Sequence, residues 1–217
     1  MFIGHWAPAF VAATHPRAPR LGTLFVAAQL VDWGFFALLL AGAEKMRVVP
    51  GITAMNPLDL YHMPWTHSLL ASAVWAAGFA LLVWLVRRDW ISAAIVAAVV
   101  LSHWLLDLLV HRPDLTLAGA PPKLGLGLWN YPAIEMPLEL ALTFGAMAWF
   151  LRRSRGPWVP VAVLGVLLAG LQAFNWFAPP PTTVDAGTSL LAFFAYGLAT
   201  LAAVWLGTSR TLRHRRG

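Results

Sequence analysis

The sequence contains no cysteine and few charged residues. Among its 217 residues, the absence of cysteine excludes disulfides, thiolate metal sites and cysteine nucleophiles. Charged residues make up only 11% of the chain, whereas 59% of it is hydrophobic and its mean hydropathy is +0.69. Such a chain cannot cover a water-exposed surface with polar groups, so the composition predicts an integral membrane protein.

Long apolar segments predict an all-α, polytopic membrane helix bundle. Six segments of roughly 20 residues match the ~30 Å hydrocarbon core of a bilayer. They are Leu21–Gly42, Trp65–Val86, Trp90–His111, Ala133–Leu151, Trp158–Ala178 and Thr188–Gly207. Phe2–Ala13 is also apolar but reaches only about 18 Å as a helix, so we expect a half-spanning helix whose end is buried by protein. Residues 1–217 are expected to form a single membrane-embedded domain.

Basic residues lie mainly at the ends of these segments. Their position favours membrane topology, rather than nucleic-acid binding, as the explanation of the net charge of +6. Clusters of arginine occur at alternate connections: Arg17 and Arg20, Arg87 and Arg88, Arg152, Arg153 and Arg155, and Arg210, Arg213, Arg215 and Arg216. The positive-inside rule therefore predicts that these connections and the C-terminus face the cytoplasm. No basic region precedes the first apolar stretch, so no removable signal peptide is predicted.

A polar stripe interrupts the third apolar segment. His103, Asp107 and His111 are spaced four residues apart, which places them on one face of a helix. An ionisable side chain within a membrane helix costs about 2.5–3.5 kcal/mol on insertion scales. The stripe is therefore a candidate functional site.

Other polar residues are expected at a similar depth. At 1.5 Å per residue, His103 lies roughly 12 Å below the outer end of its segment and Asp32 about 15 Å below the outer end of the first. His67 begins the second segment, and Glu135 and Glu139 begin the fourth. Spacing thus predicts a polar pocket built from separate helices and open toward the outer side.

Imidazole and carboxylate groups together favour a divalent metal ion. They are the ligands that zinc and manganese accept where no thiolate is available. A cation would also offset the free energy of burying the acids. Glu139 and Glu135 could then serve as a general base or orient the metal ligands.

Structural roles compete with each assignment. Thr66 and Ser68 could simply cap a helix beside an interfacial His67. Asp32 could bond only to Gln29 and nearby tryptophans, and a solvated salt bridge to Arg112 would account for His111 and Asp114.

Several linear motifs resemble those of the YdjM-like family of bacterial inner-membrane proteins, which are predicted metal-dependent hydrolases. They are Met1-Phe-Ile-Gly-His5, Leu24-Phe-Val-Ala-Ala-Gln-Leu-Val-Asp32, Asn56-Pro-Leu-Asp59, Thr66-His67-Ser68-Leu69, Ser102-His103-Trp104-x-x-Asp107, His111-Arg-Pro-Asp114 and Pro122-Lys-Leu-Gly-Leu-Gly-Leu-Trp129-Asn. The likeness runs from residue 1 to about 145, whereas the last two segments, within residues 158–207, carry nothing distinctive. It implies an inner-membrane location and a metal site formed by His5, Asp32, His67, His103 and Asp107.

A fainter likeness is to the secreted zinc-dependent phospholipase C and nuclease group. It rests on His103-x-x-x-Asp107 on one helix and Glu135-x-x-x-Glu139 on another. Where this chain has Glu135 and Glu139, that group typically has His-x-x-x-Glu. It also uses an N-terminal amine and tryptophan as ligands. Because this chain has glutamate in place of that histidine, a three-metal site shared with the group is without support.

These observations lead to the hypothesis of a metal-dependent hydrolase, with zinc or manganese as its ion, that acts on an ester or phosphoester of a lipid or other membrane-associated substrate. The catalytic candidates are Glu139, Glu135, His111 and Asp114. Lys123 and Arg112 are expected to attract an anionic headgroup, and the loop 122–132 to lie over the pocket. Whether His62 and Asp59 belong to the site stays open.

Two alternative functions remain. One is a proton or divalent-cation transporter, which needs polar residues through the inner half of the membrane. The other is a non-catalytic protein stabilised by its polar cluster.

Overall fold

The structure is a computed structural model that describes residues 1–213, and most of these residues are helical. Two short 3-10 helices cover Ile3–Trp6 and Leu128–Asn130. The α-helices are α1 (Ala7–Ala12), α2 (Leu21–Ala28), α3 (Leu30–Leu40), α4 (Leu69–Arg87), α5 (Trp90–Val110), α6 (Pro132–Arg153), α7 (Val159–Phe177) and α8 (Ala186–Ser209). The expected basic residues Arg215 and Arg216 lie outside the described residues.

Five of these helices, α4 to α8, are long and apolar enough to cross a membrane. The number rises to six if α2 and α3 together form one span. The expectation of an all-α membrane bundle is confirmed at this level. Large apolar side chains on the outside of the spans, such as Val86 and Val166, are exposed in the isolated chain, as lipid-facing residues are.

The first predicted segment, Leu21–Gly42, is not one continuous helix. α2 and α3 are bent by 52° at a break around Gln29. Tertiary hydrogen bonds are made at this break: the Gln29 side-chain amide donates to the Phe2 carbonyl at 3.2 Å, and the Ala28 carbonyl contacts His103. The apolar pattern runs through the break and therefore did not reveal it.

The predicted half-spanning segment is a 3-10 turn followed by the short helix α1. α1 packs against α2, α5 and α6. Trp6 and Phe10 are fully buried there, so protein rather than lipid surrounds the end of this segment. This burial fixes the position of His5, which lies in the 3-10 turn.

Small two-stranded antiparallel sheets connect the helices. β1 (Lys45–Val48) pairs with β2 (Leu58–His62), and β3 (Leu115–Thr116) with β4 (Lys123–Leu124), at the end of the bundle where α4 begins and α5 ends. β5 (Ser154–Arg155) pairs with β6 (Thr211–Leu212) at the opposite end.

The arginine-rich connections meet at that opposite end. Arg17 forms an ion pair with Asp89, which caps the first turn of α5, and its guanidinium holds the pKa of the Asp89 carboxyl at about 2. Arg210 donates to the Ser154 hydroxyl at 2.9 Å. The two ends of the bundle thus differ in charge as the sequence predicts.

The loop 122–132 closes over the end of α5. Amides of the loop donate to carbonyls that the helix leaves without a partner: Leu126 to Leu108 at 2.8 Å and Gly127 to His111 at 2.7 Å. Gly125 lies so close that an added Cβ would collide with the backbone carbonyls of His111 and Arg112. The loop is therefore ordered by the helix end that carries His111.

Candidate metal centre

Five polar side chains converge inside the helix bundle. His103 and Asp107 lie one turn apart on α5, Asp32 comes from α3, His67 precedes α4, and His5 comes from the N-terminal 3-10 turn. Two overlapping groups have the spacing of metal ligands, His5 with His103 and Asp107, and Asp32 with His67 and His103. The set equals the ligands that the YdjM-like resemblance implies.

Asp107 lies at the centre of this cluster. Its Oδ2 is 3.2 Å from His103 Nε2 and 3.6 Å from His67 Nε2. Its Oδ1 is 3.0 Å from His5 Nε2, 3.5 Å from His111 Nε2 and 3.1 Å from the Met1 amino nitrogen. The two carboxylate oxygens therefore face different nitrogens.

Four oxygen–nitrogen distances in the cluster have the length expected between ligands of one metal ion. Asp32 Oδ1 is 3.4 Å from both His67 Nε2 and His103 Nε2, and the same two nitrogens lie 3.6 and 3.2 Å from Asp107 Oδ2. A tetrahedral zinc ion with bonds of about 2.0–2.1 Å separates its ligand atoms by about 3.3–3.4 Å. The measured distances between these oxygens and nitrogens, 3.2–3.6 Å, match that separation.

Two of the histidines present the same ring nitrogen to the cluster. His103 Nδ1 lies 2.8 Å from the Ala28 carbonyl, which is an acceptor only, so this nitrogen carries the proton. His111 Nδ1 lies 2.8 Å from Asp114 Oδ1 in the same way. Each ring thus turns its Nε2 toward Asp107, and such outer partners are typical of metal-bound histidine.

Several buried atoms of the cluster have no hydrogen-bond partner among the described residues. They are both ring nitrogens of His5, Nε2 of His103 and Oδ2 of Asp107. All three residues are at most 2% exposed. Unpaired buried polar atoms cost about 1–3 kcal/mol each, and a cation bound among them would remove this penalty.

Glu139 holds the segment that carries His5. Its Oε1 accepts from the backbone amides of Phe2 at 2.5 Å and Gly4 at 3.0 Å, and its Oε2 accepts from the Gln172 amide at 2.8 Å. The His5 ring then stacks on His103 with centroids 3.7 Å apart. Glu139 is therefore committed to orienting the cluster.

Glu135 differs from its neighbour one turn later on α6. It is 1% exposed, and neither of its carboxylate oxygens has a hydrogen-bond partner among the described residues. Hydrogen bonds within the described residues therefore do not commit this carboxylate to a structural role.

The remaining candidates lie around the rim. His111 contacts the cluster through Asp107 and packs on Trp129, with ring centroids 4.2 Å apart, and Asp114 fixes its ring from behind. Arg112 pairs with Asp59, which also accepts from Arg47 at 2.8 Å.

This pairing engages both carboxylate oxygens of Asp59 with arginine and places the residue outside the metal cluster. Lys123 and His62 are exposed on β4 and β2, and the structure does not bring them to the cluster.

Sequence reasoning missed several partners of the cluster. Tyr196 on α8 donates its hydroxyl to Asp32 Oδ2 at 3.2 Å, and the buried Gln172 comes from α7. Both lie in the last two spans, α7 and α8, whose sequences carry no distinctive motif. Asp32 bonds to Tyr196, whereas Gln29 bonds to Phe2. A polar glutamine in an apolar span was the one available signal, because tyrosine is common near membrane surfaces.

Comparison with family models, with curated proteins and with solved structures gives no match to this chain.

Proposed function

We propose that this protein is a membrane-embedded, metal-dependent hydrolase. The observation that carries the proposal is the convergence of Asp32, His67, His103 and Asp107, whose four facing oxygen–nitrogen distances of 3.2–3.6 Å are close to the separation of ligands on one zinc ion. Zinc is the proposed ion, and manganese accepts the same ligand types. The resemblance to YdjM-like proteins agrees with this assignment.

The exposed fractions of the four proposed ligands indicate the side from which a substrate could approach. Asp32 is the most exposed of the four, with 15% of its side chain accessible, whereas the others are at most 3% accessible. A bound divalent cation lowers the pKa of a coordinated water toward neutrality and so supplies a nucleophile. We assign a substrate molecule to the Asp32 side of the cluster.

Proton transfer is assigned to Glu135. Its carboxylate has no competing hydrogen bond within residues 1–213, whereas Glu139 is held by three donors. Glu135 would take the proton of the attacking water or return it to the leaving group. His111 and Asp114 form a second proton-accepting pair at the rim.

The proposed substrate is an ester or phosphoester of a membrane lipid. The cluster lies below one end of spans whose outer surfaces face lipid, so a headgroup can reach that level without leaving the bilayer. Six spans, an inner-membrane location, a cytoplasmic C-terminus and a cluster toward the outer side belong to the same proposal. Lys123 is exposed at that end and could attract an anionic headgroup, while Arg112 is already paired with Asp59.

The test combines metal content with turnover. Purified protein is assayed for bound zinc and for hydrolysis of bis(p-nitrophenyl) phosphate and of short-chain p-nitrophenyl esters. His103→Ala and Asp107→Ala are expected to lose the metal and all turnover. Glu135→Gln is expected to keep the metal and lose at least 100-fold in rate, consistent with typical general acid–base contributions of about 10²–10⁴. Full turnover in the His103→Ala protein would contradict the proposal.

One observation favours a second function, a purely structural metal site. Four protein side chains face the proposed ion, the number of ligands in structural zinc sites, whereas catalytic sites usually keep one position for water. In that case a chelator lowers the thermal stability of the protein, and no ester or phosphoester is hydrolysed at any zinc occupancy.

Transport is less well supported. A cation pathway needs polar groups continuing toward the arginine-rich end, but the buried residues of that half are largely apolar. They include Phe10, Leu24, Phe25, Phe150, Leu164 and Leu206.

A further inference from the structure

Glu44 is a buried carboxylate outside the metal cluster. It lies between α3 and β1 and is only 1% exposed. Its Oε1 accepts from the backbone amides of Trp65 at 2.9 Å and Thr66 at 3.0 Å, and its Oε2 accepts from the Thr66 hydroxyl at 2.7 Å. Burial raises the pKa of the Glu44 carboxyl above its ordinary value, and these hydrogen bonds act in the opposite direction.

The hydrogen bonds of this carboxylate have a defined direction. A hydroxyl has one proton to donate, and Thr66 donates it to Glu44. The same hydroxyl oxygen lies 2.8 Å from His67 Nδ1, so it can only accept there. The His67 proton is therefore on Nδ1, and the lone pair is on Nε2.

That lone pair faces the metal cluster. His67 Nε2 is 3.4 Å from Asp32 Oδ1 and 3.6 Å from Asp107 Oδ2. His103 and His111 reach acceptors directly, at Ala28 and Asp114, whereas His67 reaches its carboxylate through a hydroxyl. All three rings therefore direct Nε2 toward the metal cluster, but a different acceptor holds the Nδ1 proton of each ring.

We propose that Glu44 is a positioning residue of the metal site, acting through the Thr66 hydroxyl to set the tautomer and orientation of His67. The inference rests on the proposed metal site but not on hydrolysis. Partners that orient metal-bound histidines typically contribute about 10–100-fold to metal affinity. We therefore expect this hydrogen-bond chain to contribute to zinc affinity within that range.

Two variants break the chain in different ways. Thr66→Val keeps the side-chain shape but removes the hydroxyl. Glu44→Gln keeps the size, but with its amide oxygen facing the Trp65 and Thr66 amides it turns an NH₂ group toward the Thr66 hydroxyl. That group donates, so the hydroxyl proton is redirected to His67 Nδ1, and the lone pair is lost from Nε2.

The experiment measures zinc affinity by chelator competition in the full-length protein in detergent. Both variants are expected to bind zinc 10–100-fold more weakly, whereas Thr66→Ser, which keeps a hydroxyl, restores binding. Thr143→Val is the matched control, because Thr143 is also buried but its hydroxyl donates only to the backbone of Glu139.

Nuclear magnetic resonance of the ring nitrogens gives a second readout that needs no metal. His67 of the unmodified protein is expected to be the Nδ1–H tautomer, and Glu44→Gln to shift it toward Nε2–H. Zinc affinity of Thr66→Val within twofold of the unmodified protein, or an unaltered His67 tautomer in Glu44→Gln, would overturn the inference. Normal zinc binding without any hydrolysis would instead refute only the proposed enzyme activity.

Discussion

The roles of individual residues follow from the directions in which their hydrogen bonds point. Once Nδ1 of His103 has donated to Ala28, its Nε2 in the neutral ring can only accept, yet it faces oxygens of Asp32 and Asp107 at 3.4 and 3.2 Å. Lone pairs facing one another in a buried site are unfavourable. Either a metal ion or an additional proton on His103 must therefore lie among them.

Tyr196 provides a test of the outer partners of the cluster. Its hydroxyl holds Asp32 Oδ2 at 3.2 Å and leaves Oδ1 to face the histidines. We expect Tyr196→Phe to weaken zinc binding by about 10–100-fold, because Asp32 loses the donor that orients it. Isothermal titration with zinc measures the change. The control is Tyr131→Phe at an exposed tyrosine, and equal affinities of the two variants would show that the hydroxyl does not orient Asp32.

The sequence predicts which residues form the cluster better than it predicts what each of them does. Helical spacing and the free energy of burying charge were sufficient to select His103, Asp107 and Asp32. The use of Glu139 as an acceptor for Phe2 and Gly4 depends on where the N-terminal segment packs, so spacing along α6 could not reveal it.

An irregularity of the backbone helps to orient one of the proposed ligands. The break between α2 and α3 leaves the Ala28 carbonyl without a helical partner, and this carbonyl then binds the His103 ring. Hydropathy predicts that residues 21–42 are buried in lipid or protein, but it carries no information about a tertiary partner 75 residues away in the sequence. Span existence was therefore predictable, whereas the bend was not.

The loop after α5 packs tightly on the end of that helix. Gly125 packs against the backbone of His111 and Arg112, where a methyl group has no room. Gly125→Ala is expected to destabilise the protein by about 1–3 kcal/mol and to displace His111 from Trp129. Thermal unfolding in detergent and tryptophan fluorescence measure the two effects.

Gly78→Ala in α4 serves as the control for this substitution, since a Cβ added there meets nothing. The control is expected to be neutral or slightly stabilising, because alanine favours helix over glycine by about 1 kcal/mol. Equal stability of the two variants would show that the loop is not packed on the helix end as described.

The His/Asp cluster and the arginine clusters lie at opposite ends of the helix bundle. The cluster, β1–β2 and β3–β4 lie at the end where α4 begins, whereas Arg17, Arg155 and Arg210 lie at the other. Alternation of charge along the sequence already predicted this division, because each span reverses the direction of the chain. The orientation in the membrane follows from the positive-inside rule and stays a prediction.

The absence of cysteine makes that orientation directly testable. In intact bacterial cells, a membrane-impermeant maleimide is expected to label Lys123→Cys at the cluster end. It should label Arg155→Cys, exposed at the other end, only after the membrane is permeabilised. The reverse pattern would place the cluster on the cytoplasmic side and refute the proposed access from the outer leaflet.

The central claim is that a metal ion lies between Asp32, His67, His103 and Asp107. A crystal of the purified protein, measured with X-rays on both sides of the zinc absorption edge, tests it most directly. We expect an anomalous peak about 2.0–2.2 Å from the facing oxygens and nitrogens of these four side chains. No peak in zinc-supplemented crystals, with His103 bonded to both carboxylates as a protonated ring, would contradict it.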